Sequence, residues 1–382
     1  MDIQGFIRTL AEKADIRIGG DRPWDIQVHN GQLYARVLKH GTLGLGEAYM
    51  DGWWDCASID GMVCRALRAG LEERFSSTLP SWAGAAAHRV FNLQSRARAF
   101  MVAKAHYDID PRLFRAMLGP SMQYSCGWWR DVPEAGAGGL DAAQYAKMEM
   151  ICRKLGLEPG MSVLDIGCGW GSLAMHMARR HGVQVTGITV SKEQLAFAQE
   201  KAEAEGLPVR FQLMDWRGLR GSWDRVASVG MFEHVGRRNY AEFMDIVRAC
   251  LTPDGLFLLH SIGSNGAMGS GWGADPWLTR YIFPNGVLPS PSTLAGTLER
   301  DFVLEDWHNF GCDYDLTLLA WHENFERGLE EGAFTCPERQ RRMFRYYLLS
   351  CAGAFRARSI QLWQVVLSPE GLPGGYCRRE RA

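Results

Sequence analysis

The sequence predicts a doubly wound α/β sheet preceded by a smaller, mainly helical domain. Three observations predict it. From Leu140 onward, strand-like runs alternate with helical stretches, the pattern that builds a mostly parallel sheet covered by helices on both faces. One of those runs, "VLDIGCGWGSL", passes from strand through a glycine-rich turn straight into a helix, the arrangement that presents backbone N–H groups to a ligand. The first hundred residues lack the alternation and read as a unit of their own, placing domains at 1–106 and 107–382.

The N-terminal unit is taken first. "MDIQGFIRTLAEKADIRIGG" has no apolar core of signal-peptide length and reads as a short amphipathic helix ending at Gly19-Gly20. "IQVHNGQLYARVL" predicts a hairpin turning at Asn30-Gly31. Helical sequence follows from about Gly61 to Ala105. Between Ser81 and Tyr107 it carries Arg89, Arg96, Arg98 and Lys104 and no acid. That stripe is either a solvated helix face or a surface for anionic lipid headgroups.

In the second unit, "AKMEMICRKLG" places Met148, Ile151, Cys152 and Leu155 at helical spacing, with a stop at Gly156. Strand-like runs follow at "SVLDIG", "VQVTGITV", "PVRFQL", "DRVASVGM" and "GLFLLHSI", and two come late, "FVLEDW" and "LWQVVLS". Between Gly263 and Leu294 the pattern lapses into Gly, Ser, Pro and Trp. So long an irregular segment in a compact unit is read as a lid or access channel.

Composition narrows the function. The chain of 382 residues is 47% hydrophobic and 22% charged, as ordinary soluble proteins are. A net charge of −1 gives no global reason to expect nucleic acid as a partner. No run approaches the ~18–20 apolar residues of a membrane span. The ten cysteines never fall as C-x-x-C and read as reduced thiols of a cytoplasmic protein. The 14 tryptophans exceed the needs of such a core and hint at apolar or cationic ligands.

The glycine loop then separates two cofactor classes. A dinucleotide fingerprint would need glycine where Ser172 stands and an acid after the second strand, which instead ends in Thr189 and Val190. The D-x-G-x-G-x-G pattern of Asp165, Gly167, Gly169 and Gly171 resembles motif I of the S-adenosylmethionine-dependent methyltransferases. That resemblance implies that Asp165 and the glycine backbone hold the methionine end of the cofactor. After the third strand, Asp215 is offered to the adenine amine and Trp216 to the ring face. Ser191 and Gln194 have the spacing of a helix capping box.

Further stretches are more specific: "GLGEAYMDGWWDC", "SMQYSCGWW", "MFEHVG", "LLHSIG" and "YIFPNG", with "DYDLTLLAW" and "CAGAFRARSIQLWQVVLS". Together with motif I, over nearly the whole chain, they resemble the cyclopropane-fatty-acyl-phospholipid synthases. The resemblance implies a Rossmann-like class I methyltransferase sheet with flanking helices. It also implies a reaction: the methyl of S-adenosylmethionine is added across a cis double bond of a phospholipid acyl chain, and the new methyl loses a proton as the ring closes. Such chemistry needs a base near the methyl, aromatic faces or dipoles for positive charge, and no water.

In that family the base is a bound bicarbonate. The resemblance assigns the side chains of Glu233, His260 and Tyr314 and the backbone N–H groups of Cys126 and Ile262 to its cradle. Two neighbouring anions repel, so a shared proton or an imidazolium at His260 is expected to relieve Glu233. Tyr124 and Ser125 match positions at the methionine end of the cofactor, and Thr189 and Gln194 match positions at its ribose. Tyr281, Phe283, Tyr346 and Trp321 are either acyl-channel or core residues.

Taken without the family, the residues are plainer. Glu233 is a polar corner, His260 a satisfied core histidine, Cys126 a small buried hydrophobe and Tyr314 a packing residue. His234 reads as structural. The "EH" pair lacks the second histidine of H-E-x-x-H and any Cys/His cluster, so no metal is expected there. The resemblance further implies a homodimer that works on membrane phospholipids at the inner face of the membrane. Competing readings are a lipid C-methyltransferase giving a methyl-branched chain, a small-molecule methyltransferase, and a non-catalytic lipid-binding protein.

Overall fold

The computed structural model describes residues 2–71, 110–130, 132–133, 135–265 and 275–378. The basic stripe of Arg89, Arg96, Arg98 and Lys104 and residues 266–274 of the Gly/Trp-rich segment lie outside the described residues.

Helix α1 (Ile3–Lys13) begins where Asp2 accepts a hydrogen bond from the Gln4 N–H. The predicted hairpin at Asn30-Gly31 does not form. A two-residue hairpin turn of the Asn-Gly kind needs positive φ at both central residues, and neither Asn30 nor Gly31 has it. Instead Asn30 Oδ1 accepts from the Gln32 N–H at 2.9 Å, a local turn that leads into helix α2 (Leu33–Met50), bent at Gly41. Gln27–Val28 pairs with Trp54–Asp55, well beyond that helix. Helix α3 (Ile59–Arg68) is capped by Ser58.

After α4 (Pro111–Leu118) and α5 (Leu140–Lys154) comes the sheet. Its seven strands are β1 (Ser162–Ile166), β2 (Gln184–Thr189), β3 (Val209–Leu213), β4 (Trp223–Val229), β5 (Leu251–Ser264), β6 (Val303–Asn309) and β7 (Ile360–Ser368). They lie in the order β3-β2-β1-β4-β5-β7-β6, with β7 antiparallel to both neighbours. All seven runs picked from the sequence are strands. The sheet is the Rossmann-like class I methyltransferase sheet that the resemblance implied.

Helices α6 (Ser172–His181), α7 (Lys192–Ala204) and α8 (Tyr240–Ala249) cross between strands, and α9 (Pro276–Tyr281), α10 (Pro291–Leu298), α11 (Cys312–Glu330) and α12 (Glu338–Arg356) complete the chain. One core packs α5–α7 on the sheet through Ile151, Met177 and Val185, and another packs α8 and α10 through Phe243, Val247 and Leu294. A third core joins α2 and α3 to α4, α11 and α12, with the Tyr346 ring in contact with both Trp54 and Trp277. Strand order reverses between β1 and β4. The crevice this opens at the carboxyl ends of the strands is where open α/β sheets bind ligands.

Candidate active site

A cavity of about 370 Å³ occupies that crevice. Its walls include Tyr124, Ser125, Asp165, Gly167, Gly169, Thr189, Gln194, Asp215, Trp216, Glu233, His260, Ile262 and Tyr314, brought together from five strands' ends, two helices and the segment between α4 and α5. Cys126 and Gly171, also singled out in the sequence, are not in the wall. Cys126 is fully buried behind it, its thiol against Gly127 and Thr317. Gly171 has φ 82°, and a Cβ there would stand 2.5 Å from Phe211 Cζ, so its role is to seat the loop on β3.

At the glycine-loop end, Asp165 is buried with Oδ2 unpartnered within the chain. Burial pushes its carboxyl up to about 7, opposed by the charge of Lys147. Lys147 is itself buried on α5, and burial pulls its ammonium down to about 7. Its Nζ donates to Ser125 Oγ at 2.9 Å and to the Gln123 side chain, while Gln144, one turn earlier, donates to the Ser125 carbonyl at 2.7 Å. One face of α5 thus holds the Gln123–Ser125 stretch against the cavity.

After β2, Thr189 Oγ1 donates to Gln194 Oε1 at 2.8 Å, and Ser191 Oγ accepts from the Gln194 N–H at 3.3 Å. At Gln194 the backbone serves the cap while the side chain faces Thr189 and the cavity. Asp215 is held by Arg217, whose Nη1 lies 3.1 Å from Oδ2, and the same guanidinium lies over the Trp216 ring at 4.2 Å. Arg217 also lines the cavity and was not anticipated from the sequence.

At the far end, Glu233 sits in a one-turn helix just after β4. Its Oε1 accepts from the Ile262 N–H at 2.7 Å, and its buried Oε2 has no partner within the chain. Within the chain, then, the Ile262 N–H orients Glu233. Burial pushes the Glu233 carboxyl up to about 7.

His260, Gln364 and His308 stand side by side across β5, β7 and β6. Lys154, at the end of α5, reaches Gln364 Oε1 and His308 Nδ1, both at 2.8 Å. An ammonium only donates, so the Gln364 oxygen faces Lys154 and its Nε2 faces His260 Nδ1, 3.2 Å away. His260 Nδ1 must then accept, and its proton sits on Nε2. Burial, with the charges of Lys147 and Lys154, holds the imidazole well below its usual range. This favours the neutral form of His260 in the ligand-free chain, with the proton on Nε2.

Comparison with known proteins decides the family. Residues 94–365 match the family model described as mycolic acid cyclopropane synthetase. The chain is 52% identical to the cyclopropane-fatty-acyl-phospholipid synthase of Escherichia coli over 94% of its own length and 91% of that protein's. The chain belongs to the cyclopropane synthase family. Among solved structures, the cyclopropane synthase MmaA2 from Mycobacterium tuberculosis is 31% identical, with a TM-score of 0.64 over 73% of this chain and all of that one. The mycolic acid cyclopropane synthase CmaA1 complexed with SAH and CTAB is 29% identical, with a TM-score of 0.62 over 70% of this chain and 98% of that one.

Within this cyclopropane synthase fold, Phe283 lines the cavity. Tyr281, Tyr346 and Trp321 do not: Tyr281 donates to Glu47 at 2.9 Å, and the other two are buried in the third core. His234 lies in the wall, exposed to the cavity. Besides Arg217, the residues missed were Gln144, Lys147 and Lys154. Their signal was present as polar residues at helical spacing on one face of α5, where an amphipathic helix should be apolar.

Proposed function

We propose that the chain makes cyclopropane rings in the acyl chains of membrane phospholipids, with S-adenosylmethionine as methyl donor and a bound bicarbonate as base. The single observation that carries the reading is the pairing of two orphaned buried carboxyl oxygens, Asp165 Oδ2 and Glu233 Oε2, on two residues of the same cavity wall. Buried acceptors without partners are rare unless a ligand serves them. Asp165, beside the glycine loop, suits the amino group of the cofactor's methionine end. Glu233 stands with a pKa near neutrality beside a neutral His260 that offers Nε2–H and a Tyr314 hydroxyl. That donor set fits a bicarbonate-sized anion, and a proton held at Glu233 removes the repulsion between two acids. When bound, the bicarbonate supplies a base that does not compete for alkylation as a side-chain amine would.

The chain's own contributions are positioning and exclusion. Glu233, His260 and Tyr314 hold the base, with the Cys126 backbone N–H as the further donor. Asp165, Gly167, Gly169, Tyr124 and Ser125 hold the methionine end, Thr189 and Gln194 the ribose, and Asp215 and Trp216 the adenine. Aromatic and aliphatic residues such as Phe283, Leu288, Tyr347 and Phe355 keep water away and present ring faces to developing positive charge. The reading takes residues 1–106 as the lipid-contact unit and 107–382 as the catalytic unit of a homodimer at the cytoplasmic face of a membrane. Among the described residues no helix is long and apolar enough to cross a bilayer.

The test is turnover of purified protein with S-adenosylmethionine and vesicles of cis-unsaturated phospholipid, with and without bicarbonate in degassed buffer. Ring protons in the extracted acyl chains, falling in yield on bicarbonate depletion, are the expected result. A branched or olefinic chain would move the product to the C-methyltransferase reading, and bound cofactor with unmodified lipid would end the synthase reading.

A further inference from the structure

Outside the cavity, α5 and α6 place four metal-ligating side chains face to face. Glu149 and Cys152 lie one turn apart on α5, and His176 and His181 lie on α6. Their donor atoms all fall within 4.8 Å of one another. None of the four lines the cavity.

Glu149 Oε2 is 3.1 Å from His176 Nε2 and 3.3 Å from His181 Nε2. The edge of a tetrahedron with zinc–ligand bonds of about 2.0–2.1 Å is about 3.3 Å, so two edges already have the required length. The other carboxyl oxygen is turned away, 3.5 Å from Arg153 Nε. Cys152 is fully buried and His176 nearly so, while Glu149 and His181 keep 18% and 19% of their side chains exposed. The cluster therefore has a closed inner side and an open outer side through which an ion can enter.

Two imidazoles, a carboxylate and a thiol are the donor types zinc takes, and four protein donors with no open position make a structural site, not a catalytic one.

We propose that Glu149, Cys152, His176 and His181 bind one zinc-class divalent cation that clips α5 to α6. Binding breaks the Cys152 S–H bond and forms the metal–sulfur bond, the proton leaving to water; each imidazole takes the metal at Nε2 as its proton is lost there and regained at Nδ1, with no change in oxidation state. In the metal-free chain the same residues form a hydrogen-bonded corner in which the carboxylate accepts from two imidazoles. The clip ties the helix that carries Lys147 and Lys154 to the helix that starts at the glycine loop.

The test is independent of turnover. The full-length protein, stripped with a chelator under reducing conditions, is titrated with Co(II) and then with Zn(II). The expected result is one Co(II) per chain, with the intense visible bands of a tetrahedral ion and a thiolate-to-cobalt charge-transfer band, both displaced by zinc. His181→Gln, at a partly exposed position that leaves packing intact, loses the spectrum. Zinc raises the melting temperature of the parent by a few degrees and leaves that of His181→Gln unmoved. No stoichiometric uptake, a weak octahedral spectrum, or a spectrum unchanged in His181→Gln would each overturn the proposal, the last by assigning the ion to other cysteines.

Discussion

The two carboxyl oxygens of Glu233 have different fates: Oε1 is held by the Ile262 N–H and Oε2 has no partner within the chain. Folding raises this carboxyl from the ordinary range to about 7, by burial. A raised acid contributes stability that is present below its unfolded pKa, near 4.3, and lost as pH climbs through the folded value. The loss is about 3 kcal/mol for a shift of this size. Melting curves of the ligand-free parent and Glu233→Gln should therefore diverge between pH 5 and 8, the parent losing ground as pH rises; parallel curves would remove the raised carboxyl. At His260 the residue that matters is a neighbour. Gln364→Glu keeps a partner for Lys154 but turns an acceptor toward His260 Nδ1, which moves the imidazole proton from Nε2 to Nδ1. Turnover should fall about a hundredfold, as when one donor to a reacting charge is lost, while cofactor affinity holds. Imidazole nitrogen NMR would report the tautomer, and full activity with the proton on Nδ1 would mean that Nε2–H does no chemistry.

Among elements, the turn between β1 and α6 separates two uses of glycine. Gly169 has φ 54° and nothing within 4 Å of a Cβ, and it lines the cavity. Gly171 has φ 82° and meets Phe211 and Ala198. Both substitutions to alanine carry a left-handed cost of about 1–2 kcal/mol. Gly171→Ala adds a clash in the core, so urea melts should rank it the less stable, whereas Gly169→Ala should lose more cofactor affinity. The reverse ranking would exchange their roles. This turn was legible because its spacing is local, and so were the strands, whose apolar runs are short and bounded. Asn30-Gly31 misled because the dipeptide is equally suited to entering a helix, and the choice was made by α2 packing on α12. The Lys154–Gln364–His260 contact was illegible for a different reason. Its members lie 210 and 104 residues apart and meet only once β7 inserts antiparallel between β5 and β6. The Glu149–Cys152 and His176–His181 pairs likewise come together only when two helices lie side by side.

Across the whole molecule, α12 is the wall between the cavity and the N-terminal helices. Tyr347, Cys351 and Phe355, four residues apart, line the cavity. On the other side Tyr346 packs on Tyr49, Trp54 and Trp277, and Gly353 lets the α3 backbone at Asp60 approach more closely than any side chain would allow. Arg342 adds hydrogen bonds to the Tyr49 and Trp54 carbonyls, the latter at 2.9 Å, and Arg356 bridges Asp60 and Asp315. A chain begun at residue 107 would uncover Tyr346 and Trp277. Each buried aromatic of that size is worth about 1.5–3 kcal/mol, so their exposure would consume much of the roughly 5–15 kcal/mol that holds a typical domain together. The shortened chain should therefore be aggregation-prone or lack a sharp melt, and the full chain should unfold in one calorimetric transition whose midpoint falls in Gly353→Leu. The same geometry makes any displacement of the first seventy residues a displacement of the cavity wall. A soluble 107–382 fragment with full cofactor affinity and a cooperative melt would show instead that α12 stands without them, and that the two parts share a surface but not a fold.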